Sequence, residues 1–246
     1  MPSRRRLVAI GIATLLIGIL ALFPARVAYQ WFAPPGVQVS GLQGTIWSGS
    51  AVGGAVNGVY FRDLRWQFKP LRLMQGHLAY TIDLLPDGGF LAGDVGVGLG
   101  GDIHLNDLRG SIPLKLLAGP TGLRGLGGTA NADITRLHLS DGLPVEAVGN
   151  LDVIGLLLPL VAPAPLGTFR AEFLEDASGD IVGSIQDTGA VIELVGRIVL
   201  KENRAYEFLG RIAANADTPP QIRQQLQFLG TPNDRGQYEL RLEGQL

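Results

Sequence analysis

Strict two-residue alternation constrains this chain more than any other feature. In residues 63–68, Leu64, Trp66 and Phe68 interleave with Asp63, Arg65 and Gln67. In residues 77–84, Leu78, Tyr80, Ile82 and Leu84 interleave with His77, Ala79, Thr81 and Asp83. A period of two sends successive side chains to opposite faces, so each run reads as a strand with one buried face. Between them, Lys69-Pro70-Leu71-Arg72 interrupts pairing, because proline brings no amide to a ladder, and the two runs are expected to lie side by side and antiparallel.

The alternation recurs along the chain. Residues 37–39, 45–48 and 59–68 read as strands, and a Pro86-Asp87-Gly88-Gly89 turn follows the run at 77–84. Val95, Val97 and Leu99 then alternate with Gly96, Gly98 and Gly100, a strand whose second face is bare and so admits close approach, a bulge or strong coiling. Weaker runs lie at 102–109 and 130–140, and 145–154 leads into an apolar stretch that ends in three prolines. A meander is expected over 169–174, 181–186, 190–200 and 204–213, with turns at Ser178-Gly179-Asp180, Asp187-Thr188-Gly189 and Glu202-Asn203. A last strand sets Tyr238, Leu240, Leu242 and Leu246 against Gln237, Glu239, Arg241 and Glu243. One short amphipathic helix interrupts this texture: Asp217-Thr218 can cap it, Pro219-Pro220 suits its first turn, Ile222, Leu226 and Leu229 share a face, and Gly230 can end it. Its apolar stripe is expected to cover one end of the sheet. The 35 glycines and 15 prolines, spread along the chain, suit many short elements. Strand following strand with hardly a crossover helix means antiparallel pairing. The expected fold is mainly β: an elongated, curved antiparallel sheet over residues 37–246, either an open trough or a partial barrel.

The N-terminus differs. Residues 7–23 are 17 uncharged residues that include Leu7, Ile10, Leu15, Leu16, Ile19 and Phe23, behind Arg4, Arg5 and Arg6. As a helix rising ~1.5 Å per residue they would cover roughly 26 Å of a ~30 Å hydrocarbon layer, with help from residues 27–31. A single transmembrane helix is expected there, with the basic tip at 1–6 on the cytoplasmic side and the bulk of the chain on the other. Residues 24–36, stiffened by Pro34-Pro35, read as a linker. A cleaved signal peptide shares the charged start and apolar middle. Cutting after Ala25 or Ala28, however, would put Phe23 or Arg26 where a small residue is required, which favours an uncleaved anchor.

Charge and motifs exclude several chemistries. Without Arg4, Arg5 and Arg6 the 20 basic residues become 17 against 22 acidic ones, and no basic stripe remains for nucleic acid. Cysteine is absent, which removes disulfides, thiolate catalysis and cysteine metal sites. Gly96, Gly98 and Gly101, and Gly125, Gly127 and Ala130, match dinucleotide-binding spacings, but no helix pattern follows to hold a phosphate. His77, His104 and His138 reproduce no ligand spacing and read as solvent-facing strand residues, with a three-histidine metal site assembled in space as the rarer reading. Ser48 and Ser184 lack the nucleophile-elbow turn. Asp83, Asp87, Asp94 and Asp102 fall at turns and polar strand positions, as solvated faces do. Trp47 and Trp66 read as core anchors first and as partner-binding residues second, since aromatic side chains dominate both settings.

Residues 41–51 (GLQGTIWSGSA) and 64–80 (LRWQFKPLRLMQGHLAY) carry a resemblance. Gly44, Thr45, Trp47 and Gly49, then Leu64, Trp66, Pro70, Leu73 and Gly76, resemble the N-terminal signature of the type II secretion system protein N family, the inner-membrane N component of the general secretion pathway. That resemblance implies a non-catalytic secretion component without a cofactor, anchored in the inner membrane with its β domain in the periplasm. Its implied partners are other inner-membrane secretion components and membrane lipid, and the nine motif residues would serve structure or partner binding. A second reading is an envelope lipid-binding or lipid-transfer module similar to AsmA-type proteins, since a one-sided apolar sheet needs a cover. An anchored enzyme ranks last, because no motif has role-compatible geometry.

Overall fold

The computed structural model describes residues 4–33, 35–74, 76–98, 100–159, 162–176, 179–201 and 203–245; Pro34, Leu99, Ser178, Glu202 and Leu246, placed above in the linker, strands or turns, lie outside them. Two helices open the chain, α1 (Arg4–Ala21) and α2 (Ala25–Phe32). There follow β1 (Val37–Ser40), β2 (Gln43–Gly44), β3 (Ser48–Ala51), β4 (Gly53–Val56), β5 (Val59–Phe68), a single helical turn α3 (Pro70–Leu73), β6 (His77–Pro86), β7 (Phe90–Gly98) and β8 (Ile103–Pro113). A 3-10 turn (Leu114–Leu117) and α4 (Ala118–Thr121) lead to β9 (Gly127–Ser140), β10 (Leu143–Leu157), β11 (Gly167–Glu175), β12 (Ile181–Ala190), β13 (Ile192–Leu200), β14 (Ala205–Ala214), α5 (Pro220–Gln227) and β15 (Tyr238–Gln245).

Among the described residues all the strands belong to one open antiparallel sheet of 15 strands, in which β5 through β15 lie in chain order. The mainly β expectation holds, and so does the central pairing: Leu64 faces Leu84, Trp66 faces Ile82 and Phe68 faces Tyr80 across β5 and β6. Beyond β5, β3 and β4 act as one strand broken at Val52, since both pair with β5. β1 and β15 are the two edges of the path. Register shifts in several ladders, as between Ala92 and Asp94 and between Val148 and Gly149, mark bulges, which bend and twist the strands that carry them.

Pairing across the ladders sorts the side chains onto two faces of different character. One face collects Trp66, Phe68, Tyr80, Leu105, Leu137, Phe173, Ile198, Phe208 and Leu242. The other carries cross-strand ion pairs such as Arg109–Asp133 (3.4 Å), Arg170–Asp152 (2.6 Å) and Arg241–Glu207 (3.3 Å). Exposed pairs of this kind add little stability but mark a solvated surface.

The buried cluster lies at one end of the apolar face, where α5 covers the sheet. Ile222 and Leu226 of α5 pack with Leu166, Phe169, Ile192 and Ala162. The expected helix is present with two differences. Leu229 falls beyond its end and is exposed. Thr218 does not cap it: its buried hydroxyl donates to the Val191 carbonyl and accepts the Asn215 amide, so it ties the preceding loop to the sheet. A third difference is that Asp187-Thr188-Gly189 is not a turn but the end of β12, and the chain reverses at Val191.

The N-terminus also departs from expectation. α1 stops at Ala21, short of Phe23, and α2 occupies most of the segment read as linker. Pro24 cannot continue an α-helical ladder, and donors from the sheet take the terminal carbonyls: Trp47 Nε1 donates to Leu20 O (2.7 Å) and the Ile46 amide to Phe23 O (3.0 Å). The uncharged part of α1, from residue 7 to residue 21, therefore rises roughly 22 Å against a ~30 Å hydrocarbon core. Among the described residues no helix is long and apolar enough to cross a membrane.

Candidate functional site

Six of the nine motif residues build one junction between α1 and the sheet. Gly44 has φ +84°, and a Cβ there would stand 2.4 Å from the Ser48 carbonyl oxygen, so only glycine lets β2 turn back onto β3 at this point. Thr45 closes the turn: its Oγ1 accepts the amides of Trp47 and Ser48, each at 3.2 Å. Its carbonyl accepts Trp66 Nε1–H at 3.1 Å. The Trp66 ring then lies over Gly49, where a Cβ would come within 2.4 Å of Trp66 Cζ2. Leu64 stands opposite the buried Ala51. Trp47 reaches the other way, with its Nε1 on Leu20 O and its ring 4.8 Å from Phe68, which in turn is 5.4 Å from Tyr80.

Trp47 and Trp66 are thus half-buried struts and not enclosed core anchors. The remaining three motif residues sit outside this junction, on the β5–β6 connection: Pro70 begins α3, Leu73 is exposed on it, and Gly76 takes φ +81° as the chain re-enters β6. The anchor residues Leu7, Ile10, Leu15, Leu16 and Ile19 are exposed along α1, and Phe23 is half-buried with its ring 5.9 Å from Trp31. Arg4, Arg5 and Arg6 form the first turn of α1.

On the apolar face, across β9 to β14 and toward the strand ends that α5 leaves uncovered, lies a cavity of about 510 Å³ lined by Ile134, Leu137, Phe173, Ile198, Leu200 and Tyr206 among others, every one apolar or aromatic. Burial on the same face pushes the Tyr80 hydroxyl above its ordinary pKa.

The polar face holds an arrangement that sequence reasoning missed. His104 pairs with His138 across β8 and β9, and His138 with Glu146 of β10. Their rings form a row: His77 to His104 at 4.4 Å between centroids, and His104 to His138 stacked at 4.0 Å. His77 and His104 meet over β7 because the positions between them are Gly96 and Gly98, the bare face noted in the sequence. Burial, then the charges of His138 and His77, lower the His104 pKa against the opposing pull of Asp102 and Glu146. His77 Nδ1 and His138 Nε2 are buried without a hydrogen-bond partner, and Glu146 is paired with Arg136 at 2.9 Å. The reading of these histidines as solvent-facing singles is therefore corrected. Among the described residues no group of three histidines, cysteines or carboxylates is arranged to hold a metal ion. The signal that could have exposed the row is the hairpin register, which sets residues 104 and 138 opposite each other and residue 77 on the diagonal across β7.

Other candidates disperse. Asp94 pairs with Lys69 and accepts Thr81 Oγ1 at 2.9 Å, Asp83 lies opposite Arg65, Asp87 is in a turn and Asp102 precedes β8. Gly98 ends β7 and Gly127 begins β9, with no helix start at either.

Comparison with known proteins agrees with the junction motif. A family model described as type II secretion system (T2SS), protein N, matches residues 35–241. Type II secretion system protein N of Aeromonas hydrophila is 24% identical over 255 aligned residues that cover 100% of both chains. Its counterpart from Vibrio cholerae serotype O1 is 27% identical over 241 residues, 94% of each chain, and that of Aeromonas salmonicida is 36% identical over 47 residues, 19% of this chain and 100% of its own. No solved structure matches the chain significantly. With a family model spanning most of its length and six of the nine signature residues built into one junction, the chain belongs to the type II secretion system protein N family.

Proposed function

We propose that this protein is a non-catalytic component of a type II secretion system, held at the inner membrane by α1 with its sheet in the periplasm, where it contacts other membrane components of the apparatus. The observation that carries this reading is α1 itself. Among its described side chains Leu7, Val8, Ile10, Ile12, Leu15, Leu16, Ile17, Ile19 and Leu20 are all more than half exposed, while its C-terminal end is fastened to the sheet by the family motif. A helix apolar on every side is stable only where something other than water surrounds it. Arg4, Arg5 and Arg6 in its first turn support a cytoplasmic start, since basic residues flanking a span favour that side. A helix short of the hydrocarbon thickness is accommodated by local thinning of the bilayer at modest cost.

Photo-crosslinking in cells from Trp66, Tyr80 and Leu242, all on the apolar face, tests the partner. Adducts to membrane components of the secretion apparatus are expected, and their absence with the apparatus assembled would remove the reading. The apolar cavity supports a second reading, a lipid-binding module related in texture to AsmA-type envelope proteins. There the same crosslinkers would yield lipid adducts, and phospholipid would remain on the protein through gentle extraction in native mass spectrometry.

A further inference from the structure

The β5–β6 connection presents apolar surface at the same end of the sheet as the junction. Leu71 is 78%, Leu73 56% and Met74 87% exposed. The segment from Lys69 to Met74 contains two basic residues and no acidic one. It projects past the end of the ladder, because pairing between β5 and β6 finishes at Phe68 and Tyr80.

Its position relative to α1 is set by three contacts. Trp47 Nε1 donates to Leu20 O at the end of α1 (2.7 Å), the Trp47 ring packs on Phe68 (4.8 Å), and the Phe68 amide donates to Trp47 O (2.6 Å). The next residues are the projecting segment itself. Arg26 Nε to Leu42 O (2.6 Å) and the Pro24–Thr45 bridge hold the same joint from the other side, so the sheet has no slack with which to stand off from α1. A helix whose uncharged part rises only roughly 22 Å also leaves its C-terminal end near or below the level of the headgroups, not above it.

We infer that residues 71–74 form a second membrane contact, in which Leu71, Leu73 and Met74 enter the headgroup region of a phospholipid bilayer beside the end of α1. Apolar side chains accompanied by basic ones suit that layer, where stems and rings bury while charges stay wet. The inference rests on the reading that α1 lies in the membrane, and it adds that the sheet touches the bilayer directly.

The chain has no cysteine, so a single introduced one takes a single label. Met74→Cys, Leu15→Cys and Asp87→Cys, each in the full chain, would carry an environment-sensitive fluorophore in vesicles of phosphatidylethanolamine and phosphatidylglycerol. All three sites are exposed, Asp87 at the turn after β6 on the opposite end of the sheet, so folding is preserved, and circular dichroism checks this. Nitroxide lipids labelled near the headgroup should quench position 74 at least several-fold more than position 87, and deep nitroxides should quench position 15. An unquenched label at 74 overturns the inference whatever position 15 reports; with 15 quenched, the anchor reading survives that failure. Quenching at 74 with none at 15 removes α1 from the membrane and overturns the reading of 71–74 as a contact beside it.

Discussion

Gly44 and Gly49 belong to the same short hairpin and are required for different reasons. Gly44 is needed for its φ of +84° as well as for space, whereas Gly49 has ordinary backbone and is needed because the Gln43 carbonyl and the Trp66 ring occupy the room above it. Gly58 offers a control, since it shares φ +84° but a Cβ there meets nothing within 4 Å. Gly58→Ala should cost about 1 kcal/mol, the price of a left-handed alanine, Gly49→Ala about 1–3 kcal/mol from overpacking, and Gly44→Ala the most of the three. Denaturant midpoints of the three variants check the order.

The histidine row makes a second residue-scale expectation. Its neighbours are His77 from β6, Asp102 ahead of β8, His138 from β9, and Glu146 from β10 with its partner Arg136. The folded pKa of His104 lies below its ordinary 6.5, so as pH falls the unfolded chain takes up the proton first. Stability from this group is complete above that ordinary value, declines as pH falls through it toward the folded value, and is flat below. Unfolding midpoints measured from about pH 8 to about pH 5 should fall, and His104→Gln should flatten the slope.

At the scale of elements, α5 is the piece whose packing is clearest. Ile222 and Leu226 are buried against Phe169 and Ile192, so Ile222→Ala should cost about 2–4 kcal/mol in chemical unfolding. The same comparison shows what the residues alone reveal. Alternation at 63–68 and 77–84 predicts two strands and their pairing, because period two is a local property that the burial of one face enforces. α5 is legible from its prolines and its i, i+4 apolar pair, but not its end, because Leu229 matches the period while the chain has already left the helix. The end of β12 is hidden for the opposite reason. Asp187-Thr188-Gly189 has turn composition, yet the Asp187 carboxylate accepts the Leu194 amide at 2.8 Å and the strand continues through it. The histidine row depends on register across four strands, including the unpaired Asp107 at φ +51° on β8, and no window of sequence holds that information. The junction motif is visible as a signature, whereas its role as the joint to α1 appears only with Trp47 bonded to Leu20.

Considered as a whole molecule, the sheet has a protected middle and unequal edges. β9 and β10 are the longest strands and are paired on both sides. β15 pairs only with β14 and is largely exposed. Hydrogen exchange should accordingly release the outward amides of β15 well before those of β9 and β10, and mass spectrometry of peptides from each would show it. The other edge is treated differently: the Tyr29 hydroxyl donates to Val37 O (2.9 Å) and accepts the Val39 amide (3.1 Å), occupying groups of β1 that face away from β4. Tyr29→Phe should remove about 1 kcal/mol and speed exchange at Val39.

That single phenol biases strand addition toward one side. A neighbour that extends the sheet meets open groups along β15 and capped ones at Val37 and Val39, so two copies adding edge to edge at β15 would form a closed pair related by a two-fold axis.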